Sequence, residues 1–89
     1  MPEVLIVELI WSDEADIKVA RRGLSRKDVY EAIVLDPNHE AIWVEDKEHG
    51  RRLMVQGTSE SSNKVIIAYL DPENEFDGIW SVRTAWRVS

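Results

Sequence analysis

Eighty-nine residues without a cysteine predict one domain with a modest core, no disulfide framework and no thiolate metal site. An apolar content of 44% suffices for that core, and the lack of cross-links suits a reducing cytosol. The net charge of −6 argues, taken alone, against a nucleic-acid partner.

The chain opens on an apolar, β-branched run, Val4–Trp11, which predicts a strand. It is too short to span a membrane, and Glu3 stands where a secretion signal would carry basic residues. Ser12 is placed to cap a first helix, with Asp13 and Glu14 in its first turn, where acids favour the helix dipole. Ala15 and Val19 mark the inward side, extended by Ile17, Ala20 and Leu24; Arg21 and Arg22 close the helix before Gly23. Ser25 and Asp28 imitate a capping box for a second helix over Arg26–Leu35, with Val29, Ala32 and Ile33 inward and Tyr30 and Val34 widening that face. Pro37 pushes Asp36 out of the helical region and ends it.

The hydrophobic period then changes to two. Ala41–Val44 reads as a strand and Asp46–Gly50 as its turn. Arg52–Gln56 alternates cleanly, and Glu60–Asn63 is a polar turn. Lys64–Leu70 is apolar on both faces and belongs in the middle of a sheet. Asp71–Gly78 reads as a turn and Ile79–Trp86 as the last strand. The predicted fold is therefore α+β, in the order β-α-α-β-β-β-β, with an antiparallel sheet against two N-terminal helices and a single domain over residues 1–89.

The acidic balance is uneven. Residues 1–50 hold 6 basic and 12 acidic side chains, whereas residues 51–89 hold 5 of each, four of the acids within Asp71–Asp77. A local positive surface is thus compatible with an acidic chain. Arg21, Arg22, Arg26 and Lys27 cluster at the helix–helix junction, where they either hold a phosphate backbone or simply complement a helix end. Strict alternation places Trp80, Val82 and Trp86 on one face of the last strand and Ser81, Arg83 and Ala85 on the other. Packing on the helices is the expected role of the tryptophan face, with base stacking as the alternative. His39 and His49, the only histidines, fall in or beside loops and read as turn residues, though either could move a proton near neutral pH. No paired-histidine motif, calcium loop, phosphate-binding glycine loop or nucleophile elbow occurs, so no metal or other cofactor is expected.

Several segments resemble, in order and spacing, the BrnT-like toxins, small bacterial ribonucleases of type II toxin–antitoxin pairs with a RelE-type fold. They are Trp11-Ser12-Asp13-Glu14-Ala15, Arg22-Gly23-Leu24-Ser25, Asp36-Pro37, Arg52-x-x-x-x-Gly57, the apolar strand Val65–Tyr69 and Ser81-Val82-Arg83-Thr84-Ala85. The likeness covers almost the whole chain and rests on no single motif. This chain differs in inserting Ser12, in carrying Arg22 where the family usually has His, and in carrying Thr84 where Lys or Arg is common.

The resemblance implies a cytoplasmic, metal-independent endoribonuclease that aligns an RNA 2′-OH against the adjacent phosphate. It also implies a ribbon–helix–helix antitoxin as partner, in an assembly that could include a homodimer. On this reading Arg83 and Arg52 are the catalytic cations, since an arginine fork meets phosphate oxygens two at a time. Arg87, Arg22, Arg26 and Lys27 are the RNA-binding residues. The plain alternative for Arg83 is an arginine snorkelling from an exposed face, for Arg52 a solvated residue after a turn, and for Arg87 a solvated terminal charge. A rival function is a catalytically silent domain of the same fold that binds a protein.

Overall fold

The computed structural model describes residues 4–48 and 50–88. The elements are β1 (Glu8–Ile10), α1 (Asp13–Arg21), α2 (Arg26–Tyr30), a π-helical turn (Glu31–Leu35), β2 (Glu40–Asp46), β3 (Gly50–Thr58), β4 (Val65–Asn74) and β5 (Ile79–Arg87). Only three residues of the first apolar run pair as a strand, and no helix among the described residues is long and apolar enough to cross a membrane.

Local chemistry accounts for the helix ends. The Ser12 hydroxyl accepts the Ala15 N–H at 3.1 Å, and acids fill the first turn of α1 while Lys18 and Arg21 occupy its last. α1 buries only Ala15 and Val19. Ile17 and Ala20, predicted to extend its inward side, are exposed, so α1 contributes a narrow stripe. Ser25 and Asp28 form a reciprocal capping box. The predicted second helix has the expected extent, but from Glu31 onward it widens into the π turn. Asp36, at ψ 114°, leaves the helix ahead of Pro37.

The sheet order is β1-β5-β4-β3-β2. β2 to β5 form an antiparallel meander with β4 at the centre, as its two-sided apolar pattern requires. The expectation of a purely antiparallel sheet needs correcting: β1 runs parallel to β5. The chain leaves β1, crosses through both helices to the far edge, and returns strand by strand until β5 lies beside β1.

Both helices cover one face. The core there joins Val19, Leu24, Val29, Ala32 and Ile33 to Leu53, Val55, Ile66, Ala68, Leu70, Trp80, Val82 and Ala85. The β3–β4 turn is fastened to α2 and the π turn by a polar network. Ser59 and Ser61 donate to Glu31, and Ser62 and Lys64 donate to Asp28. Burial acts to raise the Asp28 carboxyl, but hydrogen bonds from the Ser25 backbone, Ser62 and Lys64 outweigh it and hold Asp28 below the usual carboxylate range. Glu31 is lowered by Ser59 and Ser61, and Asp36 by the backbone N–H groups of Asn38 and Thr58.

The last strand departs from strict alternation. Leu70 pairs with Val82 but Tyr69 pairs with Thr84, so Arg83 is an extra residue, a β-bulge. The parity of everything after it reverses. Trp80 and Val82 are buried against the helices as predicted. Trp86, by contrast, pairs with Ile67 on the opposite face, and Ala85 takes its place in the core.

Candidate functional site on the open face of the sheet

Alternation in β3 and β4 sorts the side chains. Leu53, Val55, Ile66, Ala68 and Leu70 point to the helices. Arg52 and Met54 of β3 and Ile67, Tyr69 and Asp71 of β4 point to the helix-free side. Register carries the pattern outward to Ile42, Val44 and Asp46 of β2 and to Thr84 and Trp86 of β5. The open face therefore has an apolar floor, within which Tyr69 and Trp86 pack with ring centroids 5.3 Å apart.

A row of charges crosses this face. Arg52 donates from Nε to Oδ1 of Asp71 at 3.1 Å and from Nη1 to Oδ2 of Asp46 at 3.3 Å. Arg83 approaches the other Asp71 oxygen, Nε to Oδ2, at 3.1 Å. From β2 to β5 the order is Asp46, Arg52, Asp71, Arg83, alternating in sign. Arg52 is not the solvated residue that its place after a turn suggested, because its side chain is only 13% exposed, whereas that of Arg83 is 45% exposed. The bulge turns Arg83 toward Asp71. Next to this row, Ser81 donates to Glu73.

The structure thus brings Arg52 and Arg83 together on one carboxylate, although 30 residues separate them in the sequence. The other basic candidates lie elsewhere. Arg22, at the end of α1, donates to the Thr84 hydroxyl and, at 3.2 Å, to the Ala85 carbonyl, which brings it to the exposed margin of β5 beside the bulge. Arg26 grips Asp16 with two donors at 3.1 and 3.0 Å and lies 5.4 Å from the centre of the Trp11 ring. Its hydrogen bonds hold the Asp16 carboxyl below its ordinary range. Lys27 sits on α2, where its charge helps keep Glu31 ionised. Arg87 pairs with Ile66, whose parity belongs to the helix-covered face, so it does not join Arg52 and Arg83.

His39 is half-buried, and its Nδ1 has no hydrogen-bond partner among the described residues, which sets it apart from a simple turn residue. His49 lies outside the described residues. Among the described residues no group of three or more acidic or imidazole side chains is arranged to hold a metal ion.

Asp46 and Asp71 are the members of the site that sequence reasoning missed. Asp71 opens an acidic run that reads as a turn, yet β4 continues to Asn74. The signal was its parity: Ile67, Tyr69 and Asp71 occupy alternate positions of one strand. Comparison with protein-family models, with curated proteins and with solved structures finds no match to this chain.

Proposed function

We propose that the chain is a metal-independent ribonuclease of the BrnT-like toxin type, acting in the cytoplasm and cleaving RNA on the open face of its sheet. The observation that carries this reading is the convergence of Arg52 and Arg83 on Asp71 beside the Tyr69–Trp86 pair. A phosphate entering here replaces Asp71 as the anion held between two guanidinium groups. The released carboxylate is then the nearest base for the 2′-OH. The 2′-OH proton passes to the Asp71 carboxylate as that oxygen attacks phosphorus, which forms the O2′–P bond and breaks the P–O5′ bond, and the departing 5′-oxygen takes its proton from water. The arginines stabilise the charge that develops on the phosphorane oxygens. Trp86 and Tyr69 offer ring faces on which a flanking base can stack. A ribbon–helix–helix antitoxin is the partner that goes with this reading.

The test is expression of the chain alone in a bacterial host, paired with incubation of the purified protein with single-stranded RNA in a chelating buffer. The expected results are growth arrest and products ending in a 2′,3′-cyclic phosphate. Normal growth at good soluble expression, with intact RNA, rejects the reading.

A second reading is a silent domain of the same architecture that binds a protein. The neutralisation of both arginines by Asp46 and Asp71, on a chain of net charge −6, favours it.

A further inference from the structure

The open face poses a packing problem that the fold leaves unsolved. Both helices lie on the other side, so Ile42, Val44, Met54, Ile67, Tyr69 and Trp86 form an apolar floor with no layer of the described residues above it. Ile42 is 52% exposed. A sheet face of this kind is ordinarily covered, either by a helix layer or by a second sheet about 10 Å away.

The charge row indicates what covers it. Read from β2 to β5 the signs are minus, plus, minus, plus for Asp46, Arg52, Asp71 and Arg83. Reversing such a row gives its own complement. The row is diagonal to the strands, since Asp46 lies level with Gly50 whereas Arg83 lies between the levels of Leu53 and Met54. Two sheets stacked face to face can be related by a two-fold axis that runs along this row or perpendicular to it. The perpendicular axis, between Arg52 and Asp71, reverses the row and sets every charge over its opposite. An axis along the row keeps the order and sets like over like. The row is also neutral as a whole, on a chain that carries −6, so stacking the row on its own copy brings no net charge together.

We infer that the open face, through Ile42, Met54, Tyr69, Trp86 and the Asp46–Arg52–Asp71–Arg83 row, docks a second copy of this chain about a two-fold axis perpendicular to the row and passing between Arg52 and Asp71. In that arrangement Asp46 of one copy meets Arg83 of the other, and Arg52 meets Asp71. Four strands about 4.8 Å apart and about seven residues long present roughly 450 Å² of flat face per copy. A stable interface uses about 800 Å² per partner, so the dimer belongs to the weak class, with micromolar rather than nanomolar dissociation. The arrangement does not depend on the ribonuclease reading. If both hold, RNA and the second copy compete for the same residues.

The test uses the full chain alone, without RNA, so its outcome is separable from that of the ribonuclease assay. Sedimentation velocity over about 1 μM to 1 mM should show the 10.3 kDa monomer giving way to a species of twice that mass. Ile42→Lys, at an exposed position, should abolish the shift while circular dichroism stays unchanged. Arg83→Asp should weaken dimerisation about tenfold or more, and the double exchange Asp46→Arg, Arg83→Asp should recover most of that loss. The exchange leaves like charges side by side within each copy, so recovery can come only from across the two-fold axis. A chain that stays monomeric to 1 mM overturns the inference, as does a dimer indifferent to Ile42→Lys or a folded double variant that fails to recover. If the double variant does not fold, Ile42→Lys decides alone. A monomer that loses RNA binding on Ile42→Lys also overturns it and gives the face to nucleic acid.

Discussion

Gly57 of β3 lies directly beneath Ala32 of the π turn, so close that a β-carbon built on the glycine would sit 1.8 Å from the Ala32 carbonyl oxygen. The neighbour is backbone and cannot swing aside. Any side chain at residue 57 must push the second helical segment off the sheet. Gly57→Ala should therefore destabilise the chain by about 3 kcal/mol, which for a domain of this size lowers Tm by roughly 12–24 °C. A thermal melt decides it. A variant that melts within about 2 °C of the parent would mean that the π turn is free to move away.

The two tryptophans of β5 should separate cleanly. Trp80 is 1% exposed and donates from its indole N–H to the Leu5 carbonyl at 2.8 Å. Trp80→Ala should cost about 3–5 kcal/mol. Trp86→Ala, on the open face, should cost about 1 kcal/mol or less and should show its effect in RNA binding or in self-association. Equal losses of stability in paired denaturant titrations would contradict the bulge.

Arg83 is half-exposed and pairs, among the described residues, with the Asp71 carboxylate, so its truncation should change stability by no more than about 0.5 kcal/mol. On the proposed mechanism the same truncation removes a donor to the developing phosphorane charge and should lower cleavage on the order of 100-fold or more. Thermal melts and cleavage rates measured on one preparation distinguish the outcomes. A stable, fully active Arg83→Ala protein takes Arg83 out of the site.

Acid should weaken the polar network around the β3–β4 turn. Asp28, Glu31 and Asp36 all have folded-state carboxyls held below their ordinary values. Each therefore contributes stability that is fully present above the ordinary carboxylate range near pH 4 and is lost as pH falls through the lower folded values. Asp28→Asn should be less stable than the parent at neutral pH and should lose less on acidification. Denaturant midpoints at about pH 7, 4 and 3 would show the two curves converging. Parallel curves would place the acid response elsewhere.

Local chemistry was legible from residues whose effect is confined to their own turn. Ser12, the Ser25–Asp28 box and Asp36-Pro37 each set a helix end through neighbours a few positions away, and each acts where expected. The central place of β4 was also readable, because an apolar run on both parities has no use at an edge. Three features were not legible, and each depends on distant pairing. β1 joins the sheet through β5, 71 residues later in register. The Arg83 bulge exists only relative to Tyr69 and Leu70 on the neighbouring strand, and nothing within β5 announces it. The role of Asp71 follows from the arginines that reach it across the strands. Arg52 and Arg83 could be proposed singly, but their meeting could not.

The bulge makes Arg83 a detachable part of its strand. With Arg83 spliced out, the remaining order Val82, Thr84, Ala85, Trp86 still alternates inward, outward, inward, outward, which is how those four residues already lie. A lineage could thus gain or shed this arginine by inserting or deleting one codon, without turning any other side chain of β5 to the wrong face. The same one-residue change elsewhere in the strand would turn the residues beyond it over. The chain carries the most exposed charge of its alternating row at the one point of β5 where the sheet tolerates a change in length.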